Sequence, residues 1–275
     1  MSFTTADVVK LRKVTGAGMM DCKGALADAD GNFERAVEII REKGKLVANK
    51  RADRDAAEGV VLAKVSVDRK LGAMVVLNCE TDFVAKNENF VAFADSILNA
   101  AMANNADSLE TLKSLSLEGR TIADQVTEQT GVIGEKIELS YYRKIDAETV
   151  VGYIHPGNKL ATLVGFNKAG IDVQVAKDVA MQVAAMAPVA VDKDSVSQEV
   201  VEKELAIAKE KFRLEGKPEA MLDKIAQGAL NKFFQESTLL NQTFVKDGKI
   251  TVKDYLAKND KGLTVTAFDR YSLNV

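Results

Sequence analysis

The hydrophobic pattern changes period near Gly59, and that change constrains the fold more than any other feature. Upstream, apolar residues recur at three- and four-residue steps, as on one face of a helix. Downstream, Val61, Ala63, Val65 and Val67 alternate, a polar turn at Asp68-Arg69-Lys70 follows, and Ala73 to Leu77 completes a β-hairpin. Helices first, then hairpins interleaved with helices, predict an α+β fold built on antiparallel strands.

The N-terminal segment divides into three helices. Thr4 and Asp7 stand three residues apart, the spacing of a capping box, and Val8, Leu11 and Val14 form an apolar stripe behind them. Thr15-Gly16-Ala17-Gly18 interrupts the stripe, and a second helix is expected over 19–29. After the turn Asp30-Gly31-Asn32, Phe33, Ala36, Val37 and Ile40 mark a third helix with Gly44 as its expected C-cap. The 45–55 stretch, with Lys45, Lys50, Arg51 and Arg54 and few apolar groups, reads as an exposed helical linker.

The β region carries two related units. Behind the first hairpin, Phe90, Phe93, Ala94, Ile97 and Leu98 predict a helix over 89–103, and 105–130 reads as polar, helix-rich connection. Strands are expected at 136–143, 150–155 and 161–166, and a helix at 173–187 whose sequence loosely echoes 93–103. Two hairpin-plus-helix units packed side by side follow from this echo. Helical segments at 197–215 and 219–235, joined by Gly216-Lys217-Pro218, carry stripes at Val201, Leu205, Ala208 and Phe212 and at Leu222, Ile225 and Ala229. They predict an antiparallel helical hairpin that folds onto the core or meets a partner, self-association included. Late strands at 243–245 and 265–271 are expected to return to the second unit. The expected division is 1–45 for the helical module, 46–56 linker, 57–140 first core part, 141–190 with 236–275 second core part, and 191–235 for the inserted hairpin.

Composition removes several function classes. The 275-residue chain is 47% hydrophobic, with 37 basic against 40 acidic residues, so it has material for a core but no basic excess for general nucleic-acid binding. No apolar run reaches membrane-spanning length, and the N-terminus resembles neither a signal nor a transit peptide, which predicts a cytoplasmic protein. One histidine, His155, and two distant cysteines, Cys22 and Cys79, leave no metal-ligand pattern. No phosphate-binding glycine motif is present, so no cofactor is expected. A Cys79–His155 dyad has no local support. The chain reads as a binder of a macromolecule without catalytic residues.

The candidate binding element is Leu77-Asn78-Cys79-Glu80-Thr81-Asp82-Phe83-Val84-Ala85-Lys86. An apolar strand breaks there into a polar turn that sets a carboxylate beside a large aromatic. Such a residue either anchors in a partner's pocket or caps its own core. Met19 and Met20 are open to the same pair of readings: adaptable contact surface or core filler.

Two segments resemble signatures of the translation elongation factor Ts family. Leu11 through Leu26 is similar to its N-terminal signature, and Leu77 through Lys86 to a second one built around Thr-Asp-Phe-Val. The order of parts is also similar: a ubiquitin-associated-like (UBA-like) three-helix module, a linker, a two-part core and an inserted helical hairpin. The resemblance spans essentially the whole chain, and with Val275 following soon after the last strand the extra C-terminal helical module of the longest members is not expected. It implies an exchange factor that accelerates GDP release from the GDP-bound GTPase elongation factor Tu, with no covalent chemistry. By the same resemblance Asp82 and Phe83 intrude near the GTPase's magnesium site, flanked by Thr81 and Val84. Met19 and Met20 would contact its nucleotide-binding domain, and His155 of the core would face it. A reading without exchange activity is a scaffolding adaptor whose helical module binds helices of assorted partners.

Overall fold

A computed structural model describes residues 3–273. Helix α1 (Thr5–Thr15) begins at the expected capping box, with both reciprocal Thr4–Asp7 hydrogen bonds formed, and ends at Gly16 in a left-handed conformation. Helices α2 (Met19–Asp28) and α3 (Phe33–Arg51) complete a small module around Leu11, Cys22, Leu26, Ala36 and Ile40. Val14, assigned to the apolar stripe, is exposed.

Gly44 does not cap α3, which continues to Arg51. It sits instead where α3 crosses a later helix, α7 (Ile122–Ile133), against the Cα of Gly131. A glycine near the end of an apolar stripe reads locally as a stop, whereas its reason here is a close helix–helix approach. The first half of the expected linker is therefore the end of α3, and Arg51 at its last position and Arg54 just beyond it are tied by ion pairs to Glu80.

Strands β1 (Glu58–Val65) and β2 (Leu71–Cys79) pair antiparallel as expected, with Val67 in the turn, exposed, rather than in the strand. A one-turn helix α4 (Asp82–Ala85) and helix α5 (Glu88–Ala103) follow. The connection after them resolves into α6 (Leu109–Ser114), a short hairpin β3 (Ser116–Leu117) with β4 (Arg120–Thr121), and α7 (Ile122–Ile133). Strand β5 (Glu138–Asp146) then pairs antiparallel with β2. It crosses the expected division at 140/141 and belongs wholly to the first sheet, which has the order β1-β2-β5.

The second unit repeats this topology. Strands β6 (Thr149–Ile154) and β7 (Leu160–Phe166) form a hairpin, α8 (Val173–Met186) follows, and a long insertion precedes the third strand. The insertion holds α9 (Gln198–Leu214), α10 (Glu219–Ser237), a hairpin β8 (Thr243–Phe244) with β9 (Asp247–Thr251), and α11 (Val252–Asn259). Strand β10 (Val265–Ser272) then pairs with β7, giving the order β10-β7-β6. Both late strands return to this unit: 265–271 joins its sheet, while 243–245 pairs in its own small hairpin and buries Phe244 in the same core. The arms α9 and α10 pack on each other, but the seam of α10 is Leu222, Ala226 and Leu230, spaced by four, in place of Leu222, Ile225 and Ala229.

The α+β expectation is met in four layers: α5, the first sheet, the second sheet, α8. Alternation assigns the faces. Val60, Leu62, Val75 and Leu77 point to α5, while Val61, Met74 and Val76 point to Val150, Ala161 and Leu163 of the other sheet. Val164 and Phe166 in turn point to α8. Because β2 is central in its sheet and covered on both faces, it is a continuous apolar run. Tyr141 on β5 donates a 2.8 Å hydrogen bond to Asp269 on β10, joining the sheets at a half-buried site where burial pushes the phenol above its ordinary pKa.

Candidate partner-binding site

The buried end of β2 supplies a fixed base for the turn that follows it. Cys79 is buried and its thiol donates to the Thr81 carbonyl at 3.2 Å. Burial, with Glu135 nearby, pushes that thiol up to about 12, so it is protonated at neutral pH and is no nucleophile. Thr81 is the N-cap of α4: its side-chain oxygen accepts from the Val84 amide at 3.5 Å. Asn87 caps α5 in the same way, through the Asn89 amide. Strand, cap, one helical turn, cap and helix therefore succeed one another within a dozen residues.

This local geometry decides where Phe83 points. Within the single turn of α4, Ala85 is buried and Val84 packs against the α5 core. Phe83 faces the opposite way and is 82% exposed. Burying a phenylalanine stabilises a fold by roughly 1.5–3 kcal/mol relative to leaving it in water, and the chain forgoes that here. Of the two readings open for this residue, the capping of its own core is excluded. Asp82 pairs with Lys86 at 2.6 Å, one helical turn on, and that hydrogen bond holds its carboxyl below the ordinary range.

Two carboxylates clamp the base of the turn. Glu135, in the α7–β5 connection, accepts from the Glu80 amide at 3.1 Å, the Thr81 amide at 3.0 Å and the Thr81 hydroxyl at 2.6 Å. Glu80 reciprocates by accepting from the Lys136 amide at 2.6 Å, and also pairs with Arg51 at 2.7 Å and Arg54 at 3.1 Å. The Lys136 amide first, then the two guanidinium groups, hold the Glu80 carboxyl down at about 2. Sequence reasoning placed Glu80 within the candidate element without giving it a role, and did not name Glu135. Their partners are backbone amides and cations distant in sequence, which leave no local pattern.

The structure brings Asp82 and His155 to one cleft. Its volume is about 490 Å³, with Asp82, Ala85 and Lys86 on one side and His155, Pro156, Gly157 and Lys159 of the β6–β7 turn on the other, closed by Arg270 of β10. His155 is exposed, and its Nδ1 lies 2.9 Å from the Tyr153 hydroxyl. The β6–β7 turn is itself anchored, since the Asn158 carbonyl accepts from the Val61 amide at 2.7 Å.

Met19 and Met20 stand apart from this cleft, on the first turn of α2. Cys22, Ala25 and Leu26 form the buried face of that helix, which leaves Met19 at its margin, 36% exposed, and Met20 pointing out, 77% exposed. Core filling is excluded for Met20. Packing of α2 on α3 and the Arg51 and Arg54 pairs to Glu80 link that surface to the Phe83 turn.

The profile of the family described as Elongation factor TS matches residues 80–274, beginning at the turn that carries Phe83. The chain is 51% identical to Elongation factor Ts of Azobacteroides pseudotrichonymphae genomovar. CFP2 over 275 residues, covering all of both chains. The chain belongs to the elongation factor Ts family. Elongation factor Ts of Porphyromonas gingivalis is 53% identical over 276 residues, covering all of this chain and 99% of the relative. That of Amoebophilus asiaticus is 53% identical over 272 residues, 98% of each chain. These relatives extend the likeness over α1 to α3, which the family profile does not reach. Family membership makes the chain a translation elongation factor. Among the described residues no helix is long and apolar enough to cross a membrane.

Proposed function

We propose that this elongation factor Ts family member is a guanine-nucleotide exchange factor for elongation factor Tu, acting without covalent chemistry of its own. The observation that carries the reading is Phe83, left in water on a turn whose base is held by two carboxylates. A GTPase retains GDP through backbone amides, a lysine and Mg²⁺, whose octahedral shell tolerates little displacement. Phe83 enters between helices of the GDP-bound GTPase and shifts the Mg²⁺ ligands without touching the nucleotide. Asp82, Thr81 and Val84 set the position of that insertion.

Magnitudes require more than one contact. An acceleration of about 10⁴-fold corresponds to about 5.5 kcal/mol of lowered barrier, and a buried aromatic at an interface is worth roughly 2–4 kcal/mol. Met19 and Met20 on α2 and the cleft at His155 supply the remainder as further contacts with the GTPase. Factor and nucleotide are then negatively coupled, and the coupling is reciprocal, so incoming GTP expels the factor. Two buried, unpaired cysteines suit a reducing compartment, in keeping with action in the cytoplasm.

Release of a fluorescent GDP analogue from elongation factor Tu tests the reading. The chain is expected to accelerate release in a saturable manner, and excess GTP to dissolve the complex on gel filtration. Binding without any effect on nucleotide release would replace exchange by the adaptor reading.

A further inference from the structure

We propose that Glu135 is a positioning residue for Phe83, an inference that rests on the exchange-factor reading above. The hydrogen bonds of Glu135 go to Glu80 and Thr81, not to Phe83. It acts through Thr81. A hydroxyl has one proton and two lone pairs. Glu135 takes the proton at 2.6 Å, which turns a lone pair of the same oxygen toward the Val84 amide and caps the turn that carries Phe83. Its second oxygen takes the Glu80 and Thr81 amides at 3.1 and 3.0 Å. Three donors that otherwise have no partner within the turn are thus gathered on one carboxylate, and charge-assisted bonds of this kind are the stronger class.

The clasp is reciprocal. Residues 135 and 136 hold residues 80 and 81 through the Glu135 side chain, while the Glu80 side chain holds the Lys136 amide at 2.6 Å. Gly134, in the left-handed conformation that ends α7, aims Glu135 at the turn. Through Arg51 and Arg54, Glu80 carries the clasp on to the end of α3. The aromatic is therefore presented in one orientation before any partner arrives. A loosened turn populates that orientation only part of the time, which lowers the apparent affinity by that fraction and leaves the inserted state unaltered.

The test is a cycle of Glu135→Ala and Phe83→Ala, read as release of a fluorescent GDP analogue from elongation factor Tu over a range of factor concentrations. Glu135→Ala is expected to raise the half-saturating concentration about tenfold (about 1.4 kcal/mol) and to leave the saturating rate near the parental one. Glu135→Gln, which keeps one acceptor oxygen, falls between. In the Phe83→Ala background the Glu135→Ala change adds less than about twofold, because an unpositioned turn no longer has an aromatic to insert. Amide hydrogen exchange at Glu80 and Thr81 of the free protein supplies a readout independent of activity, and both amides exchange faster in Glu135→Ala or, should that variant not fold, in Glu135→Gln. Unchanged protection, or the same tenfold effect with and without Phe83, overturns the proposal while leaving the exchange reading intact. No effect of Phe83→Ala in an active parent overturns both the wedge and its positioning residue.

Discussion

Alanine at Gly131 separates steric conflict from helix propensity, because Gly44 across the interface is its matched control. A methyl group on Gly131 would lie 2.3 Å from the Cα of Gly44 and 3.2 and 3.3 Å from its carbonyl carbon and oxygen. These are backbone atoms, so no side chain can swing away. A methyl group on Gly44 meets nothing nearer than the Gly131 Cα at 3.7 Å. Both glycines are interior to helices, where alanine is favoured by roughly 1 kcal/mol. Restoring an ordinary carbon–carbon contact of about 3.8 Å at Gly131 requires α3 and α7 to part by about 1.5 Å. That separation opens the Arg41–Glu128 pair, now at 3.3 Å, and draws Arg51 away from Glu80. Overpacking costs typically 1–3 kcal/mol, and contact between two backbones lies at the upper end. Gly131→Ala is therefore expected to lose about 1–2 kcal/mol net after the helix gain, whereas Gly44→Ala gains up to about 1 kcal/mol. Urea unfolding followed by circular dichroism reads both. Equal stabilities for the two variants would refute the close crossing of α3 and α7.

Other expectations follow from the same contacts. The Glu80 carboxyl titrates near 2 when folded and near 4.5 when free, so its contribution is complete above about pH 5 and fades as pH falls toward 2. Allowing for screening at the exposed Arg54, this amounts to about 2 kcal/mol, and Glu80→Gln should flatten the stability profile between pH 5 and 2.5 if the clasp is formed. Cys79 and Cys22 are both buried and Cys79 is held protonated, so a thiol reagent at pH 8 should label the native protein slowly and both positions promptly in urea; rapid native labelling at Cys79 would contradict the buried base of the turn. Asp178, buried on α8 among Gln174, Lys246 and Tyr255, should cost about 2–3 kcal/mol when changed to alanine, measured by the shift of the urea midpoint.

What was legible in the sequence was periodic or punctuated. The alternation at 61–65 and the stripe at Phe90, Ala94, Ile97 and Leu98 each carry one face's burial in a local pattern, and the elements lie where that pattern puts them. Phe83 was open to two readings until its one-turn helix showed Val84 and Ala85 taking the inward side. The misread features are tertiary. Gly44 resembles a stop because the reason for it, Gly131, is remote in sequence. Strand β5 follows a helix-rich connection and reads as the start of a new unit, yet hydrogen bonds to β2 assign it to the old one. On α10 the three-residue step from Leu222 reaches the larger apolar residue, Ile225, yet the buried residue is Ala226, four positions on. Asp82 and His155 line one cleft although they are remote in sequence, and the backbone bond that ties the β6–β7 turn to β1 is one that no side-chain pattern records.

The most direct measurement is the release of a fluorescent GDP analogue from elongation factor Tu by the parent chain and by Phe83→Ala, at equal saturating concentrations. Phe83 is exposed, so the variant should match the parent in circular dichroism and urea midpoint. The account predicts strong acceleration by the parent and a loss of tenfold or more in the variant, roughly 1.4 kcal/mol or greater. Parental acceleration from a folded Phe83→Ala would contradict the claim that this side chain opens the nucleotide site.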